Sequence, residues 1–98
     1  MIHEQATILI TSGSEVDFEA AVVKATPLFR AEGALSLRLD RSVETPNEYT
    51  MTVGWATVED HTVRFRESAA FLRWRGLAGT YFATSPKVKH LEHVYVGF

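Results

Sequence analysis

The sequence predicts one α+β domain, ordered strand–helix–strand–strand–helix–strand. Three observations carry this. The chain opens on a run rich in β-branched residues. Two runs of strict apolar–polar alternation flank Thr45-Pro46-Asn47-Glu48. Two stretches of helical spacing begin at Ser or Thr and end at Gly or Pro. Ninety-eight residues make a single domain spanning residues 1–98, with one modest core to which association can add.

Each element has its own signal. Ile2 to Thr11 reads as a strand, with Ile2, Ala6, Ile8 and Ile10 on one face and Glu4 among them. His3, Gln5, Thr7 and Leu9 take the other face. Ser14 is placed to cap a helix whose first turn holds Glu15 and Asp17, where carboxylates favour the dipole. Val16, Phe18, Ala21, Val22, Ala25, Leu28 and Phe29 follow helical spacing. Pro27 predicts a kink or a fresh start near Thr26, because it removes a hydrogen bond and crowds the preceding turn. Gly33 fits the residue after the helix end. Leu35 to Val43 and Tyr49 to Trp55 alternate on either side of the Thr45–Glu48 turn, an antiparallel hairpin. Thr57 caps a short helix through Phe65, a longer one runs from Ser68 to Phe82, and Ser85-Pro86 stops it. Val88 to Phe98 is the last strand. The order βαββαβ implies a four-stranded antiparallel sheet with helices on one face, the ferredoxin-like arrangement. The opposite sheet face is mixed and Thr-rich, which suits a second sheet, and hence a homodimer, better than bulk water.

Composition narrows the function. A net charge of −2 offers no basic excess for phosphates, so nucleic acid is not an expected partner. The absence of cysteine removes disulfides, thiolate metal sites and cysteine nucleophiles. No apolar run approaches the roughly 20 residues of a membrane span, and the first residues do not resemble a signal peptide. A cytoplasmic location is the expectation, and no Gly-rich phosphate loop is present.

The segment Gly54-Trp55-Ala56-Thr57-Val58-Glu59-Asp60-His61 resembles a stretch of the antibiotic biosynthesis monooxygenase (ABM) family. Gly33-Ala34-Leu35, the hairpin Arg41–Tyr49, Phe65-Arg66-Glu67-Ser68 with Phe71 and Trp74-Arg75, and Pro86-x-Val88-x-His90 agree in order and spacing. The resemblance implies a dimeric α/β barrel with a pocket inside each subunit, between sheet and helices. It implies oxygenation of an aromatic polyketide- or quinol-like molecule by O₂ without metal, flavin or haem. A non-oxidative binding, cyclase or isomerase domain on the same fold is the alternative. A purely structural dimer is a third, should aromatics fill the pocket.

The candidate residues follow. Trp55 is either a core aromatic or a pocket wall whose indole N–H donates to a substrate oxygen. The resemblance places a pocket tryptophan there. Arg75 is either a surface arginine with its stem on apolar neighbours or, as the resemblance implies, a guanidinium that stabilises a substrate anion. Arg64, Arg66 and Arg73 read as solvated. His61 is an exposed helix histidine or a proton shuttle in place of a family tyrosine. His90 is a structural histidine or a pocket group. His90 and His93 lie three apart on a strand and face opposite sides, so no metal site is expected from them. Met51, Phe71, Trp74 and Tyr81 complete the expected pocket lining, suited to a flat, apolar, oxygen-bearing substrate. Met51 stands where the aromatic-polyketide oxygenases carry asparagine, and Leu39 where they carry tyrosine. The Asn and His of the haem-degrading relatives are missing from the first strand and from the second helical region near Trp74.

Overall fold

The computed structural model describes residues 1–98. Four strands form one antiparallel sheet in the order β2-β3-β1-β4, with β1 at Ile2–Leu9, β2 at Ser36–Arg41, β3 at Glu48–Trp55 and β4 at Lys87–Glu92. Helices α1 (Glu15–Ala31) and α2 (Ala69–Ala78) pack against one another and cover one face. The ferredoxin-like α+β arrangement is thus the observed fold.

Alternation decides which face is covered. Glu4, Ala6 and Ile8 on β1 and Tyr49, Met51, Val53 and Trp55 on β3 are all buried beneath the helices. Phe18, Val22, Ala25 and Phe29 meet them from α1, and Trp74 and Ala78 from α2. Burying these side chains contributes about 1.5–3 kcal/mol for each large one. The opposite face, with His3, Gln5, Thr7, Thr50 and Thr52, has no second layer within the chain and stays half-buried.

Three elements depart from expectation. The helix α1 is unbroken through Pro27, which lies exposed on its outer side. Beside it, the Thr26 hydroxyl donates to the Val22 carbonyl at 2.9 Å. Gly33 ends α1 as anticipated. Its φ of 102° lets its N–H reach the Arg30 carbonyl and the Ala34 N–H reach that of Phe29, a Schellman closure. Ser14 occupies the N-cap position but its side chain makes no capping bond.

The second helical region is three pieces rather than two. Thr57 accepts the Asp60 N–H and opens a π-helix over Asp60–Phe65. Ser68 accepts the Phe71 N–H and starts α2. The expected continuation to Phe82 stops at Ala78, and a 3₁₀ turn spans Gly79–Tyr81. Phe82 is extended there and Ile10 bridges to it, which ties the helix end to the sheet.

The last strand is also shorter than expected. It ends at Glu92 because Glu92 pairs with Ile2, where its partner strand begins. Residues 93–98 have no neighbouring strand in the chain, and Val94, Tyr95, Val96 and Phe98 are exposed.

Candidate functional site

Between sheet and helices lies a cavity of about 620 Å³, within the range that takes a small organic ligand. Its sheet side is Glu4, Ala6, Ile8, Met51 and Val88. Its helical side includes Phe29, His61, Phe65, Phe71 and Trp74, and the segment Phe82–Pro86 borders it. The aromatics do not fill this space, so the reading of a purely structural module loses its premise.

A chain of polar groups crosses the buried sheet side. Glu4 and His90 are cross-strand partners in the β1–β4 register. Trp55, on the same face of β3, donates its indole N–H to Glu4 Oε1 at 3.1 Å. His61 Nε2 lies 3.3 Å from the same oxygen, and His61 Nδ1 lies 2.8 Å from His90 Nε2. Trp55, His61 and Glu4 are 0 %, 2 % and 4 % exposed. His61 and Phe65, four residues apart, share the inner face of the π-helix, and the Arg66 N–H bonds back to the His61 carbonyl. The Trp55 ring stacks on the imidazole at 5.7 Å between centroids. The exposed-histidine reading of His61 is therefore overturned.

Burial sets the protonation of this chain. Removal from water pushes the Glu4 carboxyl up, against the Trp55 hydrogen bond and the Arg66 charge, which favour the carboxylate. Removal from water lowers His61 to about 4, helped by the Arg66 charge and by His90. His61 is thus neutral near pH 7, with one N–H and one lone pair. Glu4 Oε2 takes part in none of these bonds. No polar side-chain atom is sealed off without a partner, so Oε2 keeps access to the cavity that Glu4 lines.

The expected residues separate into two groups. Met51, His61, Phe71, Trp74 and Arg75 line the cavity; Trp55, Tyr81 and His90 do not. Trp55 is a core aromatic whose single donor is committed to Glu4, which leaves none for a substrate. Tyr81 sits in the 3₁₀ turn, where its carbonyl accepts the Thr11 N–H. His90 lies one bond behind the wall, touching it through His61. Arg75 is exposed at the rim, its guanidinium 5.9 Å from the Phe71 ring centre.

Arg66 is exposed and also borders the cavity, while Arg64 pairs with Glu32 at 3.5 Å. The residue that sequence reasoning left unused is Glu4. Its signal was present: a carboxylate on the apolar face of a strand needs a partner or a task.

No three His, Asp or Glu side chains converge as metal ligands. His61 sets Nε2 3.3 Å from Glu4 Oε1 and hydrogen-bonds His90 through Nδ1.

Comparison with known proteins agrees with this architecture. The family model described as antibiotic biosynthesis monooxygenase matches residues 1–77. The uncharacterised protein YczJ of Bacillus subtilis strain 168 is 33% identical over 95 residues, covering 96% of this chain and all of that protein. A crystal structure of a candidate antibiotic biosynthesis monooxygenase from Bordetella bronchiseptica is 49% identical with a TM-score of 0.93, covering 96% of this chain and 97% of that one. A candidate member from Nitrosomonas europaea, 18% identical with a TM-score of 0.80 over 97% of this chain and all of that one, shares the fold. The chain belongs to the antibiotic biosynthesis monooxygenase family.

Proposed function

We propose that this chain is a cofactor-independent monooxygenase acting on a flat, oxygen-bearing aromatic or quinol-like molecule. The observation that carries this reading is an aromatic-walled cavity with a buried acid–base chain along its sheet side. Substrate bound there would lose a proton to the buried polar groups. The resulting anion is electron-rich enough to reduce O₂ itself. For a methylene group flanked by aromatic rings the balance is one substrate plus one O₂ giving one carbonyl product plus one water. The substrate supplies all four electrons, so this stoichiometry calls for no further reductant. Arg75 and Arg66 border the cavity and would offset the developing negative charge.

The working unit in this proposal is a homodimer. It is supported by the half-buried Thr-rich sheet face and by the exposed apolar residues 94–98, both without a partner in the chain.

A second reading is favoured by Met51, which lines the cavity where the aromatic-polyketide oxygenases carry asparagine. A thioether cannot donate to a carbonyl as an amide does. Isomerisation or cyclisation would use the same proton chemistry and no oxygen. Oxygen uptake with a panel of anthrones and quinols in metal-free buffer separates the two. The oxygenase reading expects uptake above the buffer rate, unchanged by a chelator. Turnover of substrate without uptake would establish the second reading. Uptake that needs added flavin or haem would refute the first.

A further inference from the structure

We propose that Glu4 is the base of this cavity and that His61 and His90 form a proton wire from it to the edge of the sheet. The inference rests on the proton-abstraction reading above and specifies the groups that carry it. Four observations support it. Glu4 lines the cavity and is 4 % exposed. Its Oε1 accepts from Trp55 and lies 3.3 Å from His61 Nε2, and Oε2 has no protein partner and is free for substrate. His61 touches Glu4 with one ring nitrogen and His90 with the other. His90 lies on the edge strand β4, half-buried, and no protein group bonds its Nδ1.

The wire has two states that differ by one proton. In the first, Glu4 is a carboxylate, His61 Nε2–H donates to it, and His90 Nε2–H donates to His61 Nδ1. In the second, the Glu4 carboxyl donates to His61 Nε2, His61 Nδ1–H donates to His90 Nε2, and His90 carries its proton on Nδ1. Substrate gives its proton to the carboxylate, breaking a C–H or O–H bond and leaving the electron pair on substrate. His61 and His90 each exchange their ring proton from Nε2 to Nδ1, and a half-turn about Cγ–Cδ presents the new O–H to the freed His61 Nε2, which is the second state. The proton then passes to His61 Nε2, the Nδ1 proton passes to His90, and the Nδ1 proton of His90 leaves to solvent. The first state is restored, and no imidazolium persists at the buried site. A base that releases its proton away from the cavity regenerates while substrate and product still block the mouth.

The charged and titratable groups facing Glu4 are His61 from the π-helix, His90 from β4 and Arg66 from the turn after the π-helix. Its other cross-strand neighbour is Val53 on β3, so the titration belongs to this small set. Burial holds the Glu4 carboxyl up and His61 down, so a proton on this pair rests on Glu4 rather than on His61.

The test uses the full-length protein labelled with ¹³C and ¹⁵N. Through a pH titration, the Glu4 carboxyl carbon and the His61 ring nitrogens should move with one midpoint as His61 exchanges tautomers. In Glu4→Gln, whose amide oxygen can still accept from Trp55, His61 should hold one tautomer throughout. A His61 tautomer that stays fixed while Glu4 titrates, or switches equally in Glu4→Gln, overturns the wire. Anaerobic exchange of the anthrone methylene protons in D₂O then tests the base. Glu4→Gln should slow exchange at least about 100-fold with unchanged anthrone affinity. His90→Asn should shift the pH profile. Full exchange activity in Glu4→Gln overturns Glu4 as base. Glu4-dependent exchange without oxygen uptake in air would keep this inference and refute the oxygenase reading instead. A wild-type protein inert toward anthrone leaves the tautomer titration to decide alone.

Discussion

A glutamate on the inner face of a central strand costs several kcal/mol if it is ionised and unpaired. Glu4 avoids that cost through the Trp55 N–H, the neutral His61 and a raised affinity for its proton. The same residues set the acid response of the fold. His61 is held near 4 in the native state against about 6.5 when unfolded. Its contribution to stability is full above about pH 6.5 and is lost as pH falls toward 4, a total on the order of 3 kcal/mol. Glu4 has the opposite sign: its folded-state affinity for a proton is raised, so its contribution is present at low pH and is lost as pH rises above the unfolded value. The two oppose each other in mildly acid solution. Denaturant titrations at several pH values should therefore show a steeper acid loss in Glu4→Gln than in wild type. Parallel curves would contradict the assignment. Arg75 sits at the rim and touches only Phe71 by its charge. Arg75→Ala should lower turnover by about 10–100-fold while melting changes by less than about 1 kcal/mol. Equal losses of activity and stability would return Arg75 to a structural role.

At the scale of elements, Pro27 gives a direct stability prediction. It leaves α1 one N–H short on an exposed side. Pro27→Ala should stabilise the protein by roughly 1–3 kcal/mol, as read by chemical denaturation; a loss would mean that the ring packs favourably. The elements also show what the sequence made legible. Alternation in Leu35–Val43 and Tyr49–Trp55 placed the hairpin, and Gly33 placed the end of α1, because these signals are local. The wide turn at Asp60–Phe65 was not legible, because a π-turn and an α-turn share the same capping threonine. The end of β4 was not legible because pairing, and not the composition of Val94–Phe98, decides it. The site followed the same rule. His61 and His90 could be singled out as candidates, but their contact joins residues 29 positions apart in the chain. Glu4 was visible as an apolar-face carboxylate, yet its partners come from β3, β4 and the π-helix. Arg66 is exposed, as its spacing suggested, and its position beside the cavity depends on where the π-helix ends.

For the whole molecule, the uncovered sheet face and the apolar residues 94–98 belong to one expectation. The protein should elute as a dimer at micromolar concentration, and removing residues 93–98 should weaken that dimer without unfolding the sheet, since those residues pair with nothing in their own chain. Sedimentation of both forms checks this, and a clean monomer for the intact protein would contradict it. The cavity lies within one chain, so its residues remain together whatever the assembly. The central claim is that substrate, once deprotonated there, reduces O₂ unaided. Turnover of an anthrone under ¹⁸O₂ in metal-free buffer tests it most directly. The account predicts one labelled oxygen in the product and one in water, with rates indifferent to chelator. Unlabelled product, or labelling that depends on added flavin or metal, would contradict it.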